Sequence, residues 1–260
     1  GRSIDEKTAF RTGTGGAGCA ESSKRTREMI LPPEHGMVCL TFDDGRYTEW
    51  LAQLSLFAEY DAHATFFYNG IPDKAALDSM KQLRSAGHAV GIHTVHHKDA
   101  DGMTAENGND YLQNEIFPQL EAMKQAGIEA NYFAYPNNVR TAYSEQVMGR
   151  YFRHCRAGLI PSPEKGFRIA DQPQAFLAFE DIAGTLTLGG CGIGEYYAST
   201  NDNLDAALEH AAGENKLIVF FSHGISENPG QVDTGVDMLR HLLQKAAEMK
   251  MRLVSMDELP

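Results

Sequence analysis

Strand–helix alternation along most of the chain predicts an α/β fold with a parallel sheet, closed or nearly closed into a barrel. Three observations carry this. The chain has 260 residues, 42% hydrophobic and 22% charged, which suits one large domain with a sizeable core. Short apolar runs of strand length recur between amphipathic runs of helical period. Polar, chemically able residues stand at the ends of several of those strands, where such barrels keep their chemistry.

Taken in order, residues 1–36 read as irregular. Gly13-Thr14-Gly15-Gly16-Ala17-Gly18 is too Gly-rich for a helix, and Leu31-Pro32-Pro33-Glu34-His35-Gly36 reads as a turn. From residue 37 the pattern predicts a single domain to residue 260, with no linker and no internal repeat. Apolar runs predict strands over 37–43, 63–69, 88–93, 129–135, 153–158, 175–182, 216–222 and 252–256. Amphipathic runs predict helices over about 47–60, 73–86, 104–126, 142–150, 201–213 and 232–249, on spacings such as Leu51, Leu54, Phe57, Ala58 and Leu239, Leu242, Leu243, Ala246. Asp73 is the expected cap of one helix, and Asn201 or Asp202 of another. The stretch 159–200 breaks the rhythm with Pro161, Pro163, Pro173 and the run Gly189-Gly190-Cys191-Gly192-Ile193-Gly194, and predicts loops or a short β-insertion.

The net charge of −12 argues against nucleic acid and other polyanions as partners. No apolar segment approaches the ~20 residues that span a bilayer. The chain begins Gly1-Arg2-Ser3, as a removed export signal or a cleaved tag would leave it, and export is the expectation. Of the four cysteines, Cys39 and Cys155 fall in strand-like runs as buried thiols, while Cys19 and Cys191 fall in Gly-rich stretches and are a candidate disulfide in an exported protein.

The chemistry concentrates in Thr41-Phe42-Asp43-Asp44-Gly45, where two adjacent carboxylates end an apolar run. Like charges kept together near a core need a cation, a proton or strong donors to hold them. His93-Thr94-Val95-His96-His97 ends another apolar run. Spaced four apart, His93 and His97 can reach one ion, and with one carboxylate they make a set that leaves coordination positions open for water and substrate. Zinc or a harder divalent ion fits such a set. His96 competes for the same role with a spacing that aims it less well. His223 follows Leu217–Ser222, at the mouth of the expected barrel, and is a candidate general acid because histidine titrates near neutrality. Tyr47, Tyr135, Tyr196 and Tyr197 lie in loops or at strand ends, where a ring can stack on a ligand, although aromatics in a barrel are more often core and none is assigned a role.

These motifs, with Phe133-Ala134-Tyr135-Pro136 and Ser222-His223-Gly224, resemble in order and spacing the polysaccharide deacetylases, also called the NodB homology domain or carbohydrate esterase family four. The resemblance runs from about residue 37 to the end of the chain. It implies a distorted (β/α) barrel of about seven parallel strands. It further implies one divalent metal ion, zinc foremost, and an acetylated carbohydrate as substrate. By position, Asp43 resembles the family's catalytic base, and Asp44, His93 and His97 its metal ligands. His223 resembles its general acid, and the backbone amide of Asn137 its oxyanion donor. The chain departs from the family pattern at three places. Arg46 replaces a proline, a change expected to affect only the loop. Ala134 replaces the arginine that orients the base, with Asn137-Asn138 for the common Tyr-Gly, and Arg156 is the candidate substitute. The tryptophan and aspartate of the fourth motif are not evident; Trp50 is the chain's one tryptophan and Asp181 a weak candidate for the aspartate. The expected reaction is removal of acetyl groups from N-acetylated or O-acetylated carbohydrate. Hydrolysis of another small amide or formyl group at the same site, and an inactive carbohydrate-binding barrel, are the alternatives.

Overall fold

The computed structural model describes residues 29–159 and 167–260. Seven parallel strands form its frame: β1 (Met37–Phe42), β2 (Thr65–Tyr68), β3 (Ala89–Ile92), β4 (Tyr132–Ala134), β5 (His154–Gly158), β7 (Thr187–Gly192) and β8 (Lys216–Ser222). They pair in that order, and β8 then pairs with β1 from Met37↔Leu217 to Phe42↔Ser222, which closes the ring. The result is the expected distorted (β/α) barrel.

Two expected strands lie outside the ring. The run 175–182 is only half strand: β6 (Phe176–Ala178) pairs antiparallel with the start of β8, and the rest turns into helix α7 (Phe179–Ile182). The run 252–256 gives β11 (Arg252–Leu253), which pairs only with the first residues of β1. The ring strand that falls in the stretch read as loops or a short β-insertion is β7. Its glycines are there for room. A Cβ on Gly190 would sit 3.1 Å from the Phe221 ring and 3.4 Å from Cδ of Arg156, and one on Gly192 would run into the Tyr197 ring. Cys191 is therefore a buried thiol of a strand, not a loop cysteine; its suggested partner Cys19 lies outside the described residues.

The period-2 alternation of the strands sorts their side chains into two cores. Met37, Cys39, Ala89, Ala134, Leu188, Leu217 and Val219 fill the barrel interior, while Val38, Leu40, Val90, Phe133, Cys155, Ile218 and Phe220 face the helical layer. That layer comprises α1 (Tyr47–Leu51), α2 (Leu54–Glu59), α3 (Lys74–Ser85), α4 (Gly108–Tyr111), α5 (Phe117–Gln125), α6 (Ala142–Met148), α8 (Asn201–Gly213) and α9 (Val236–Glu248). Asp73 caps α3, accepting from the Ala76 amide. For α8 the cap is Thr200, which accepts from Asn203 N–H, rather than Asn201 or Asp202. The expected helix over 104–126 is interrupted by a π-turn, Leu112–Ile116, before Pro118. Proline has no N–H for the preceding turn and its ring crowds it, so the chain widens there. A small parallel ladder, β9 (Ile225–Ser226) with β10 (Thr234–Gly235), folds the loop after β8 back on itself. The described residues before β1, 29–36, form no helix or strand; the rest of the stretch read as irregular lies outside the described residues. Arg252 donates to the Leu31 and Pro32 carbonyls, and Asn215 bridges Pro33 and Gly36. No helix among the described residues is long and apolar enough to cross a membrane.

Candidate metal and hydrolase site

The inward parity of β1 continues past the strand, so Asp43 follows Met37, Cys39 and Thr41 into the barrel. Asp43 is buried, and its amide donates to the Ser222 carbonyl across the β1–β8 seam. The next residue breaks the pattern: Asp44 takes φ 73 and swings to the rim, half-buried. The two neighbouring carboxylates thus face different surroundings. His93 continues the inward parity of β3, and His97 returns from the following turn with φ 54.

Asp44, His93 and His97 converge. His97 Nε2 lies 3.1 Å from His93 Nε2, and Asp44 Oδ1 lies 3.4 and 3.5 Å from the two nitrogens. Bonds of about 2.0–2.2 Å at tetrahedral angles put neighbouring ligand atoms roughly 3.3–3.5 Å apart, so this triangle fits one small divalent ion. Nδ1 of His93 lies 2.7 Å from the Ala134 carbonyl; donating there, it leaves Nε2 with a free lone pair facing the cluster, the arrangement of a metal-ligating histidine. These three form the only candidate metal group of its kind among the described residues. His96 is not in it. Its ring turns outward, with Nδ1 2.5 Å from the buried Glu115 carboxylate.

Asp43 is held by Arg156. Nη1 donates to Oδ1 at 2.6 Å and Nη2 to Oδ2 at 2.8 Å, a bidentate pair inside the barrel. Arg156 also donates to Thr41 Oγ1, and its guanidinium lies 4.9 Å from the Phe221 ring centre and 5.7 Å from that of Phe67. Burial alone would push the Asp43 carboxyl up; the charges of Arg156 and His93 outweigh it and hold the group below the usual carboxylate range. For Asp44, burial likewise opposes ionisation, but the three facing histidines bring it down to about 2.

His223 extends the inward parity of β8. Its Nδ1 donates to the Val232 carbonyl at 2.8 Å, and its Nε2 faces the site, 3.8 Å from Asp44 Oδ2. The partner of the His223 ring nitrogen turned away from the site is thus a backbone carbonyl rather than a carboxylate. Asn137 lines the cavity with φ 52, its side chain donating to Asp99, and Asn138 accepts from Arg156 at 3.4 Å. The cavity is about 730 Å3, and its walls include Tyr135, Tyr196, Tyr197, Leu159 and Val232. Tyr47 and Asp181 are not among its lining residues; Asp181 is exposed on α7, so no fourth-motif aspartate is supplied from there. Trp50, which carried no role in the sequence, is fully buried against the loop of His223, a placement no local pattern signals.

Residues 31–151 match the family model described as polysaccharide deacetylase. A chitin deacetylase of Arthroderma benhamiae is 32% identical over 121 residues, covering 43% of this chain and 32% of that protein. A peptidoglycan-N-acetylglucosamine deacetylase of Bacillus cereus is 34% identical over 89 residues, covering 34% of this chain and 42% of the relative. The match therefore spans about a third of the length of the first curated relatives. The solved chitin deacetylase of Colletotrichum lindemuthianum shares the fold, with a TM-score of 0.58 over 87% of this chain and 88% of that one at 20% identity. The family match covers just under half of the chain, the segment that holds both aspartates and both clustered histidines, and the barrel is common to most of this chain and of the solved chitin deacetylase.

Proposed function

We propose that the protein is a metal-dependent hydrolase that removes acetyl groups from N-acetylated carbohydrate, with O-acetyl esters as a second acyl class for the same site. The observation that carries this reading is the separation of two adjacent aspartates, Asp44 into a three-ligand cluster and Asp43 onto Arg156. Asp44, His93 and His97 would hold a divalent ion, which when bound would supply Lewis acidity, lowering the pKa of water from roughly 15.7 toward 7. Asp43, ionised and kept from that cluster by its arginine, accepts a proton from the attacking water. The backbone amide of Asn137 donates to the oxygen on which negative charge grows; one such donor is worth roughly 3–4 kcal/mol. As the carbon–nitrogen bond breaks, His223 gives its proton to the departing nitrogen, leaving acetate and a free amine.

The names of the relatives, a chitin deacetylase and a peptidoglycan-N-acetylglucosamine deacetylase, support an amino-sugar polymer outside the cell as the substrate, and hence an exported protein. The intact Asp43–Arg156 pair speaks against an inactive binding barrel, because an arginine from another strand preserves the orientation of the base. Incubation with N-acetylated chito-oligomers is expected to release acetate, and a chelator to stop it. Asp43→Asn is expected to retain the metal and lose the activity. Metal loss in that variant would mean the aspartate roles are exchanged, and a chelator-resistant deacetylase would overturn the reading.

A further inference from the structure

The peptide unit between His223 and Gly224 is gripped at both ends by side chains. Its carbonyl accepts from Trp50 Nε1–H at 2.8 Å, and its N–H donates to Asp233 Oδ1 at 2.9 Å. Both gripping groups are themselves anchored. Trp50 packs its ring 4.9 Å from that of Phe66 and against Tyr68. Asp233 is delivered by the β9–β10 ladder, where Thr234 N–H donates to the Gly224 carbonyl. Its carboxylate faces Arg46 at 3.4 Å, and Arg46 donates at 2.9 Å to Glu49 on α1. Glycine at 224 lets the Arg46–Glu49 pair sit directly against this peptide. A Cβ there would lie 2.6 Å from Arg46 Nη2 and run into the Glu49 carboxylate. Arg46 is therefore more than a loop change at the position where the family pattern has proline.

From this geometry we infer that Trp50 and Asp233 are positioning residues for His223, with Arg46 holding Asp233. The ring has one further tie of its own, Nδ1 to the Val232 carbonyl, and that carbonyl belongs to the same folded-back loop. The helix following the aspartate motif thus fixes the plane of the peptide behind the imidazole, and with it the direction of Nε2. A backbone clamp of this kind supplies orientation to a ring whose Nδ1 meets a carbonyl rather than a carboxylate. The inference rests on the reading of His223 as the proton donor to the leaving group.

The test uses two substrates that differ in their need for that proton. An N-acetylglucosamine oligomer expels an amine, which must be protonated; 4-nitrophenyl acetate expels a phenolate that is stable as the anion. Trp50→Phe keeps an aromatic ring in the packing while removing the N–H and part of the indole; the lost volume is a structural change that bears on both substrates alike. It is expected to lower kcat on the oligomer on the order of tenfold with KM little changed, a part of the ~10²–10⁴ that a positioned acid is worth, and to lower aryl ester turnover much less. Asp233→Ala should act in the same direction, and Asp233→Asn, whose amide oxygen can still accept from Gly224, should restore most of the loss. Equal losses on both substrates, or no loss on either, would overturn the positioning role. His223→Ala is the separate control: if it too fails to distinguish the substrates, the acid reading itself is wrong, and the inference falls with its premise rather than on its own account.

Discussion

Arg156 sits beside Ala134 in the sheet, in direct β4–β5 register, and both point into the barrel. The family's orienting arginine would come from position 134; here the guanidinium comes from the next strand, and an alanine leaves the space. Removing one partner of a buried ion pair leaves an uncompensated charge, at a cost of about 3–5 kcal/mol. Arg156→Ala is therefore expected to lower the unfolding free energy by that much, read from denaturant unfolding, and to cut activity, since Asp43 loses both of its orienting donors. Adding Ala134→Arg to that variant should recover part of both losses, and a double variant no better than the single one would show that the two strands cannot exchange the role. Arg156 was legible in the sequence because an arginine in an apolar strand run must find an acid. Trp50 and Asp233 were not, because their partners are backbone atoms of a loop far along the chain, and no spacing rule reaches them.

Strand parity did much of the sorting at the level of elements. On β3 the odd positions Ala89, Gly91 and His93 face the barrel, so His93 reaches the site; His88 stands just before the strand on the other parity and is buried among Phe57, Phe66 and His63. Nδ1 of His88 accepts from the Ala64 amide, which requires a ring nitrogen without a proton. Burial first, then the neighbouring His63, bring its pKa down from 6.5 to about 4. With the folded value below the unfolded one, the unfolded chain binds the extra proton between pH 6.5 and about 4, so stability falls as the pH falls through that window. Unfolding by urea at pH 7 and pH 5 should show roughly 2 kcal/mol lost to this group, and His88→Asn, which can accept the same amide, should remove that share of the slope. An unchanged slope in the variant would assign the acid sensitivity elsewhere. The same parity rule failed for β7, where Gly189, Gly190 and Gly192 have no side chains to alternate; the tight packing that demands glycine erases the pattern that marks a strand. It also overcounted at 175–182 and 252–256, where apolar residues pack on the ring without belonging to it.

For the molecule as a whole, the Asp44–His93–His97 cluster ties the C-terminal end of β1 to the end of β3 across the rim of a closed ring. A cation bound there in the folded state has no equivalent site in the unfolded chain, so its binding free energy adds to the stability of the entire barrel. At a thousandfold excess of free metal over Kd the gain is about 4 kcal/mol. For a domain of this size that corresponds to roughly 8–16 °C in Tm. Net charge complicates the measurement: at −12 the surface attracts divalent cations without regard to the cluster. Salt separates the two effects, because exposed charges are screened at 0.1–0.2 M and a three-ligand bond is not. At that ionic strength, chelation is expected to lower Tm by several degrees and added zinc to restore it. His93→Ala should melt near the chelated protein and respond to neither reagent. A zinc response in His93→Ala equal to that of the unaltered protein would place the cation elsewhere on the surface and remove the metal from the barrel rim.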